Sequence, residues 1–222
     1  MDSNYGETIG YGADAQTSER AISVSALLGQ VMFLVSIALG FLALGSYVGG
    51  DLEQSTATIL SFVGLGMLFA SAFIEPLRRG ILGISWLYAL ALVIGLGLGP
   101  ALNHLVTFNP DLVTTAAGGT ALTVLGAGAL GFFLSKDLAP WMKPLTIVIL
   151  IAVGVGIVLF VVGASTPPLL SAIIMLASAA LIVVDFNYLR KHGTEADAIW
   201  LATGIFVSII NIFLALLNLL GE

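Results

Sequence analysis

Residues 198–219 read AIWLATGIFVSIINIFLALLNL and contain no charged side chain. A helix rises about 1.5 Å per residue, so a helix over this stretch would be about 33 Å long and would cross the ~30 Å hydrocarbon core of a bilayer. Six more apolar stretches of similar length precede it, roughly over residues 23–47, 56–76, 81–100, 112–134, 144–163 and 168–188. We therefore predict an all-α integral membrane bundle of seven transmembrane helices.

The composition agrees with a membrane protein and excludes several other classes. Hydrophobic residues make up 59% of the 222 residues and charged residues only 9%, whereas a soluble domain is typically about 25% charged. The chain has no cysteine, which excludes disulfides, thiolate metal sites and cysteine nucleophiles. The net charge of −6 argues against a nucleic-acid partner.

The first 21 residues differ in composition from the rest of the chain. Residues 1–21 are polar and acidic and are rich in Gly, Ser and Thr. They lack the basic and short apolar regions of a secretory signal, and their composition is typical of a disordered tail. We expect residues 22–222 to form the seven-helix transmembrane domain.

The basic residues all fall on one side of the predicted bundle. The positive-inside rule places the Lys and Arg residues of short loops in the cytoplasm. We therefore expect a cytoplasmic amino terminus and a multi-pass protein of a prokaryotic inner membrane. The seven basic residues are Arg20 before helix 1, Arg78 and Arg79 after helix 2, Lys136 and Lys143 after helix 4, and Arg190 and Lys191 after helix 6.

Glycine-rich runs predict close helix packing, because small residues let backbones approach one another in lipid. The densest runs fall in predicted helices 3, 4 and 5, at residues 95–99, 126–128 and 154–156. We expect these three helices toward the centre of the bundle.

Several chemistries of seven-helix proteins and membrane enzymes do not fit the sequence. A retinal Schiff base needs a lysine in the last helix, but Lys136, Lys143 and Lys191 fall at predicted loop positions. His104 and His192 lie on opposite predicted faces, and the chain has no His-Glu-x-x-His, no Gly-x-Ser-x-Gly and no Walker-type loop. We expect no enzyme activity and no cofactor.

Asp185 is the strongest candidate for a functional residue. An ionisable group within a membrane-spanning helix is energetically costly, so its presence indicates a function. It follows Pro168 by 17 residues, which places it about 25 Å down helix 6 and within about 5 Å of the inner membrane edge. Two simpler interpretations are that the Asp185 carboxylate reaches the membrane interface by snorkelling, or that it pairs with Arg190. The short aspartate side chain snorkels less well than lysine or arginine.

Glu75 reaches a similar depth from helix 2, directly before Pro76 and the pair Arg78-Arg79. If helices 2 and 6 adjoin, Glu75, Asp185 and an arginine could form a charged plug that responds to cytoplasmic pH. The alternative is an interfacial glutamate beside its own arginines.

Helix 7 carries Ser208 and Asn211 near the middle of the membrane. Such polar side chains hold helices together by hydrogen bonds or line an ion path. Both interpretations stay open for these two residues. Asn218 and His104 lie near the outer ends of their helices, where an interfacial or structural role is the simpler interpretation.

Five segments resemble the Bax inhibitor-1 (transmembrane Bax inhibitor motif) family of seven-helix membrane proteins. The most specific is IFVSIINIFLALLNLLG in helix 7, which is similar to the carboxy-terminal pattern of the family. The others are GPALNHL in helix 3, AAGGTAL and SKDLAP in and after helix 4, and VVDFNYLRK at the end of helix 6.

The resemblance implies a pH-sensitive cation leak, especially for calcium, together with roles in stress survival. In the family an aspartate pair on helices 6 and 7 forms the gate, latched by an arginine of helix 2. Asp185 matches the first aspartate and would be the residue that meets the metal ion. The position of the second aspartate falls at Ser208, three residues before Asn211, so the aspartate pair is incomplete. Arg78 is the match for the arginine of helix 2, and Arg79 is the alternative.

The missing carboxylate suggests that Glu75 serves as the second acid, coupled to Asp185 and Arg78 at their common depth. The predicted function is a calcium leak gated by protonation near Asp185. The alternative is a non-conducting stress-response protein that acts by binding other membrane proteins. Expected partners are membrane lipids, calcium or other cations, and membrane proteins, with calcium as the permeant ion.

Overall fold

The computed structural model describes residues 23–161 and 164–221, and within them it shows an all-helical bundle. Each of its seven long helices is long and apolar enough to cross a membrane, which confirms the predicted architecture. The predicted tail over residues 1–21 lies outside the described residues, and the side of the amino terminus stays a prediction. The helices are α1 (Val24–Val48), α2 (Gln54–Phe73), α3 (Gly80–Phe108), α4 (Pro110–Phe133), α5 (Met142–Val161), α6 (Pro168–Lys191) and α7 (Ala198–Leu220).

The prediction that helix 3 ends at Pro100 is wrong, because α3 continues through this proline to Phe108. A proline removes one backbone donor from a helix. The remaining backbone groups of this stretch stay paired in a continuous helix, so a single missing donor does not end it. His104 consequently lies in the last turns of α3, where its ring packs against Phe108 with centroids 4.6 Å apart.

Three other helix ends differ from the prediction. Helix α2 ends at Phe73, and Glu75–Arg78 form a short 3₁₀ turn outside it. Lys143 and Lys191 lie in the terminal turns of α5 and α6 rather than in loops. Neither lysine is in α7, so the argument against a retinal site is unaffected.

The centre of the bundle is not where the glycine runs predict it. Half of the most apolar window of α7 is buried, compared with 22% for α4 and 11% for α5. The expectation that helices 4 and 5 are central is therefore wrong. A Cβ on Gly126, Gly154 or Gly156 would have no atom within 4 Å, so these glycines do not lie at close helix contacts. The core is formed by α1, α3, α6 and α7, through residues that include Leu27, Val31, Leu87, Ile182, Ile205, Phe206 and Ile212.

Helices α1 and α3 do pack through glycines, as small residues in lipid predict. Gly45 of α1 and Gly49, which follows the last residue of α1, face Gly95 and Gly99 of α3, and a Cβ on any of the four would overlap backbone atoms of the facing segment. This contact joins α1 and α3 directly through their backbones.

Candidate functional site

Asp185 lies in α6 with its side chain inside the protein. The residue is 4% exposed, and its Oδ2 is buried without a hydrogen-bond partner in the described part of the chain. The α7 residue against it is Gly204, where a Cβ would lie 3.4 Å from Oδ2. Arg190 is engaged elsewhere, since its Nη2 donates to the carbonyl oxygen of Leu134 at 2.6 Å. The structure therefore supports neither snorkelling of Asp185 nor its pairing with Arg190.

In the described part of the chain, no basic side chain on a helix packed against α6 compensates Asp185. The described residues of α1 and α7 include no charged side chain, and those of α4 and α5 have charges only near their starts, at Asp111 and Lys143. Within residues 23–161 and 164–221, Asp185 takes part in no ion pair and belongs to no cluster of three or more potential metal ligands. A charge at Asp185 would therefore be isolated in an apolar interior.

Asp185 belongs to a line of small polar residues on the face of α6 that meets α7. Ser171, Ser178 and Asp185 are spaced seven residues apart, so they lie on one face of the helix, and all three are buried. Ser178 is fully buried, and its Oγ has no hydrogen-bond partner in the region that the structure covers. Two unpartnered polar atoms therefore lie about 10 Å apart along this face.

Helix α7 presents a matching line. Nδ2 of Asn218 donates to Oγ of Ser171 at 2.9 Å and to the carbonyl oxygen of Thr166 at 3.2 Å. Helices α6 and α7 are antiparallel, with Ser171 beside Asn218 and Asp185 beside Gly204. Ser178 is seven residues from each end of this stretch on α6, and Asn211 is seven residues from each end on α7. Asn211 is therefore at the same height as Ser178. We call these two lines the polar seam. It consists of Ser171, Ser178 and Asp185 on α6 and of Gly204, Asn211 and Asn218 on α7.

Ser208 lies four residues after Gly204, on the same side of α7, and is 1% exposed. The resemblance to the family implies that the second acid falls at this position, and the structure places the Ser208 hydroxyl in the protein interior. Asn211 is half-buried. The interior position of Ser208 comes from the structure, and the roles predicted for Ser208 and Asn211 stay predictions.

Glu75 and the two arginines lie at a different place. Glu75 is exposed, and its Oε1 accepts from Nη2 of Arg79 at 2.8 Å, with both side chains more than 60% exposed. Nε of Arg78 donates to the carbonyl oxygen of Ser71. The contact that the structure describes for Glu75 is thus with its own arginine cluster, and its coupling to Asp185 stays a prediction.

The arginine cluster forms one wall of a pocket of about 410 Å³ at this end of the bundle. Glu75, Arg78 and Arg79 line one side. The other side is lined by Tyr188 near the end of α6, Asp197 in the turn before α7 and Trp200 in the first turn of α7. We call it the interface pocket.

Asn187 is a site residue that the sequence analysis missed. It is fully buried, and its Oδ1 accepts from the backbone N–H of Leu138 at 2.9 Å. Its Nδ2 lies 3.1–3.2 Å from three carbonyl oxygens at the end of α4 and in the following loop, those of Gly131, Leu134 and Lys136. An amide side chain in an apolar helix needs such hydrogen-bond partners. This requirement is the feature from which a structural role of Asn187 can be predicted.

The rest of the α6 carboxyl end also binds this loop. Nζ of Lys191 donates to the carbonyl oxygen of Ser135, and Nε2 of His192 lies 2.9 Å from Oδ2 of Asp137. The pKa of Asp137 is lowered, first by the hydrogen bond from the backbone N–H of Ala139 and then by the His192 side chain. The motifs SKDLAP and VVDFNYLRK are therefore two halves of one contact, which we call the loop clamp.

Comparisons with known proteins agree with this fold. The family model described as "Inhibitor of apoptosis-promoting Bax1" matches residues 24–222. "Modulator of FtsH protease YccA" of Escherichia coli (strain K12) is 28% identical over 90% of this chain and 91% of its own length. "Inner membrane protein YccA" of E. coli O6:H1 matches equally, and an uncharacterized protein of Pseudomonas aeruginosa is 27% identical over 89% of this chain and 90% of its own length.

Seven membrane-crossing helices and relatives of the bacterial inner membrane define the location of the protein as multi-pass in the inner membrane. The family match covers every described helix, including the segment that holds Asp185. The chain belongs to the Bax inhibitor-1 family of membrane proteins.

Proposed function

We propose that the protein is not an enzyme but a pH-sensitive cation leak, with calcium as the principal ion, controlled by protonation of Asp185. The observation that carries this proposal is the buried Oδ2 of Asp185, which lacks a hydrogen-bond partner in the described residues and lies at the contact between α6 and α7.

The charge state of Asp185 controls how well this contact closes. A neutral carboxyl group fits against Gly204 without a counter-charge. An ionised carboxylate in an apolar interior is costly unless water or a cation reaches it. Deprotonation therefore favours entry of water and cations between α6 and α7, and the leak increases as the pH rises.

The polar seam supports a route from Asp185 toward the opposite face. Ser178 and Asn211 lie about halfway along it, and the Ser171–Asn218 pair lies at the far end. Calcium takes six to eight oxygen ligands. Side-chain oxygens of Asp185 and Ser208 would supply part of the shell, and water would supply the rest.

The test is calcium efflux from liposomes that contain the purified protein, measured from acidic to alkaline pH. We expect the wild type to show a leak that rises with pH and Asp185→Asn to lose this dependence. Asp111→Asn, at an exposed carboxylate in the first turn of α4, is the matched control. A leak whose pH profile is the same in the wild type and Asp185→Asn would contradict the proposal.

Glu75→Gln tests the coupling predicted from the sequence. If Glu75 is the second acid, coupled to Asp185, this variant shifts the pH midpoint of calcium flux relative to the wild type. An unchanged midpoint would assign Glu75 to its ion pair with Arg79 alone.

A second candidate function is modulation of a membrane-bound protease by direct binding. It is favoured by the 28% identical relative named as a modulator of the FtsH protease. Co-reconstitution with E. coli FtsH and a membrane substrate would test it. A changed degradation rate without calcium flux supports this function, and flux without an effect on degradation supports the leak.

A further inference from the structure

The interface pocket lies at the level where the helices leave the apolar core. Its residues come from the turn between α2 and α3 and from the facing ends of α6 and α7. In a bilayer this level is that of the lipid headgroups, where Trp and Tyr side chains are enriched. Tyr188 and Trp200 pack edge to face there, with ring centroids 5.5 Å apart.

The pocket offers donors for a phosphate group. Arg79 uses one nitrogen, Nη2, in its contact with Oε1 of Glu75. A guanidinium has five N–H donors and binds phosphate oxygens in pairs. The donors of Arg79 that do not face Glu75 are therefore suited to a phosphate in the pocket, beside the second positive charge of Arg78.

The opposite wall offers acceptors for an ammonium group. Oδ2 of Asp197 accepts from the backbone N–H and Oγ1 of Thr194 at 2.9 and 2.7 Å. A carboxylate has about four acceptor positions, so Asp197 can accept further hydrogen bonds. Trp200 also lines this wall, and an indole ring can add cation–π attraction for a positive charge.

Apolar side chains flank the arginine wall. Phe73 ends α2 and Ile81 lies in the first turn of α3, and they are 83% and 80% exposed. Large apolar side chains so exposed beside a membrane-level pocket are suited to contact with acyl chains. A molecule in the pocket would thus meet both polar walls and a lipid-facing rim.

We propose that the interface pocket binds one phospholipid whose headgroup carries both a phosphate and a primary ammonium, as in phosphatidylethanolamine. Arg79 and Arg78 hold the phosphate, Asp197 and the face of Trp200 hold the ammonium, and Phe73 and Ile81 contact the acyl chains. The volume of about 410 Å³ lies within the ~300–1,000 Å³ of small-ligand sites. This proposal is independent of whether the protein conducts ions.

The experiment measures lipid retention by the full chain. Delipidated protein in detergent is offered an equal mixture of phosphatidylethanolamine and phosphatidylglycerol, and the retained lipid is counted by native mass spectrometry. We expect the first retained lipid to be phosphatidylethanolamine, with a preference of about tenfold from its additional charge-assisted contacts. Equal retention of the two lipids would overturn the proposal.

Two variants separate the two walls of the pocket. Arg79→Gln removes the phosphate ligand and should lower retention of both lipids. Asp197→Asn keeps an acceptor for the Thr194 cap but removes the charge, so it should abolish the preference while retention of phosphatidylglycerol persists. Lys143→Gln removes a positive charge outside the pocket and should change neither the amount of retained lipid nor the preference for phosphatidylethanolamine. An unchanged preference in Asp197→Asn, or unchanged retention in Arg79→Gln, would contradict the assignment.

A soluble competitor identifies the source of the headgroup. Glycerophosphoethanolamine carries the same polar groups without acyl chains. We expect it not to displace the retained lipid at concentrations that leave the protein folded, because the rim contacts require acyl chains. Displacement would show a site for a soluble metabolite and would overturn the lipid assignment.

Discussion

Oδ2 of Asp185 lies against Gly204 of α7, 3.4 Å from the position that a Cβ on residue 204 would occupy. The glycine covers the oxygen without offering it a hydrogen bond, and a buried polar atom left unpaired costs about 1–3 kcal/mol. The contact between α6 and α7 is therefore closely packed but incompletely hydrogen-bonded at Asp185.

Gly204→Ser should supply the missing partner, because a hydroxyl on that Cβ can reach Oδ2. Serine has a lower helix propensity than alanine, so Gly204→Ala is the control for the added Cβ. We expect Gly204→Ser to be more stable than Gly204→Ala by about 1 kcal/mol in thermal unfolding in detergent. A serine variant less stable than the alanine variant would show that the hydroxyl does not reach Asp185.

Asn187→Leu should destabilise the protein by about 3 kcal/mol or more, since it leaves the N–H of Leu138 and several carbonyl groups of the loop without their partner. The free energy of unfolding, measured by denaturant titration in micelles, checks this. Asn103→Leu removes a single 3.3 Å hydrogen bond from an exposed amide and should cost less than about 1 kcal/mol. Similar losses in the two variants would contradict the central role of Asn187 in the loop clamp.

Gly131→Ala should be destabilising because its Cβ would overlap the backbone carbonyl of Val183, where α4 crosses α6. Overpacking of this kind costs about 1–3 kcal/mol. Gly126→Ala, on the same helix with no atom within 4 Å of the added Cβ, should be neutral or stabilising. The comparison of their melting temperatures is the measurement, and equal values would contradict the close α4–α6 contact.

The loop clamp should loosen in acid. In the folded protein the pKa of Asp137 is below its ordinary value of 3.8, so its stabilising effect is complete above that value and is lost as the pH falls through the lowered pKa. Since the chain has no cysteine, a nitroxide on Ser135→Cys can report the loop alone. Its spectrum should stay unchanged down to pH 3.8 and show increased mobility as the pH falls further.

A label on Thr115→Cys, exposed on α4, controls for unfolding of the whole protein. Asp137→Asn should make the loop signal independent of pH in this range. A loop label that mobilises only together with the α4 label would contradict a local effect of Asp137.

Part of the candidate site could be predicted from the sequence. The approximate positions of Asp185, Ser208 and Asn211 along their helices follow from helix length, because the rise per residue is constant. The contact of Glu75 with Arg79 could be anticipated only as an alternative. The role of Asn187 was missed because its partners lie about 50 residues away, in a loop that composition does not position.

The number of spans and their approximate limits were determined by the sequence, because crossing a bilayer requires about 20 apolar residues and the chain has seven such stretches. Only the tertiary structure decided how each helix is rotated and which ones are central. In lipid both the outer and the inner face of a helix are apolar, so hydropathy does not distinguish them. The choice of α7 and α6 over α4 and α5 for the core, and the direction of Asp185 toward Gly204, therefore came from packing and hydrogen bonding between distant segments.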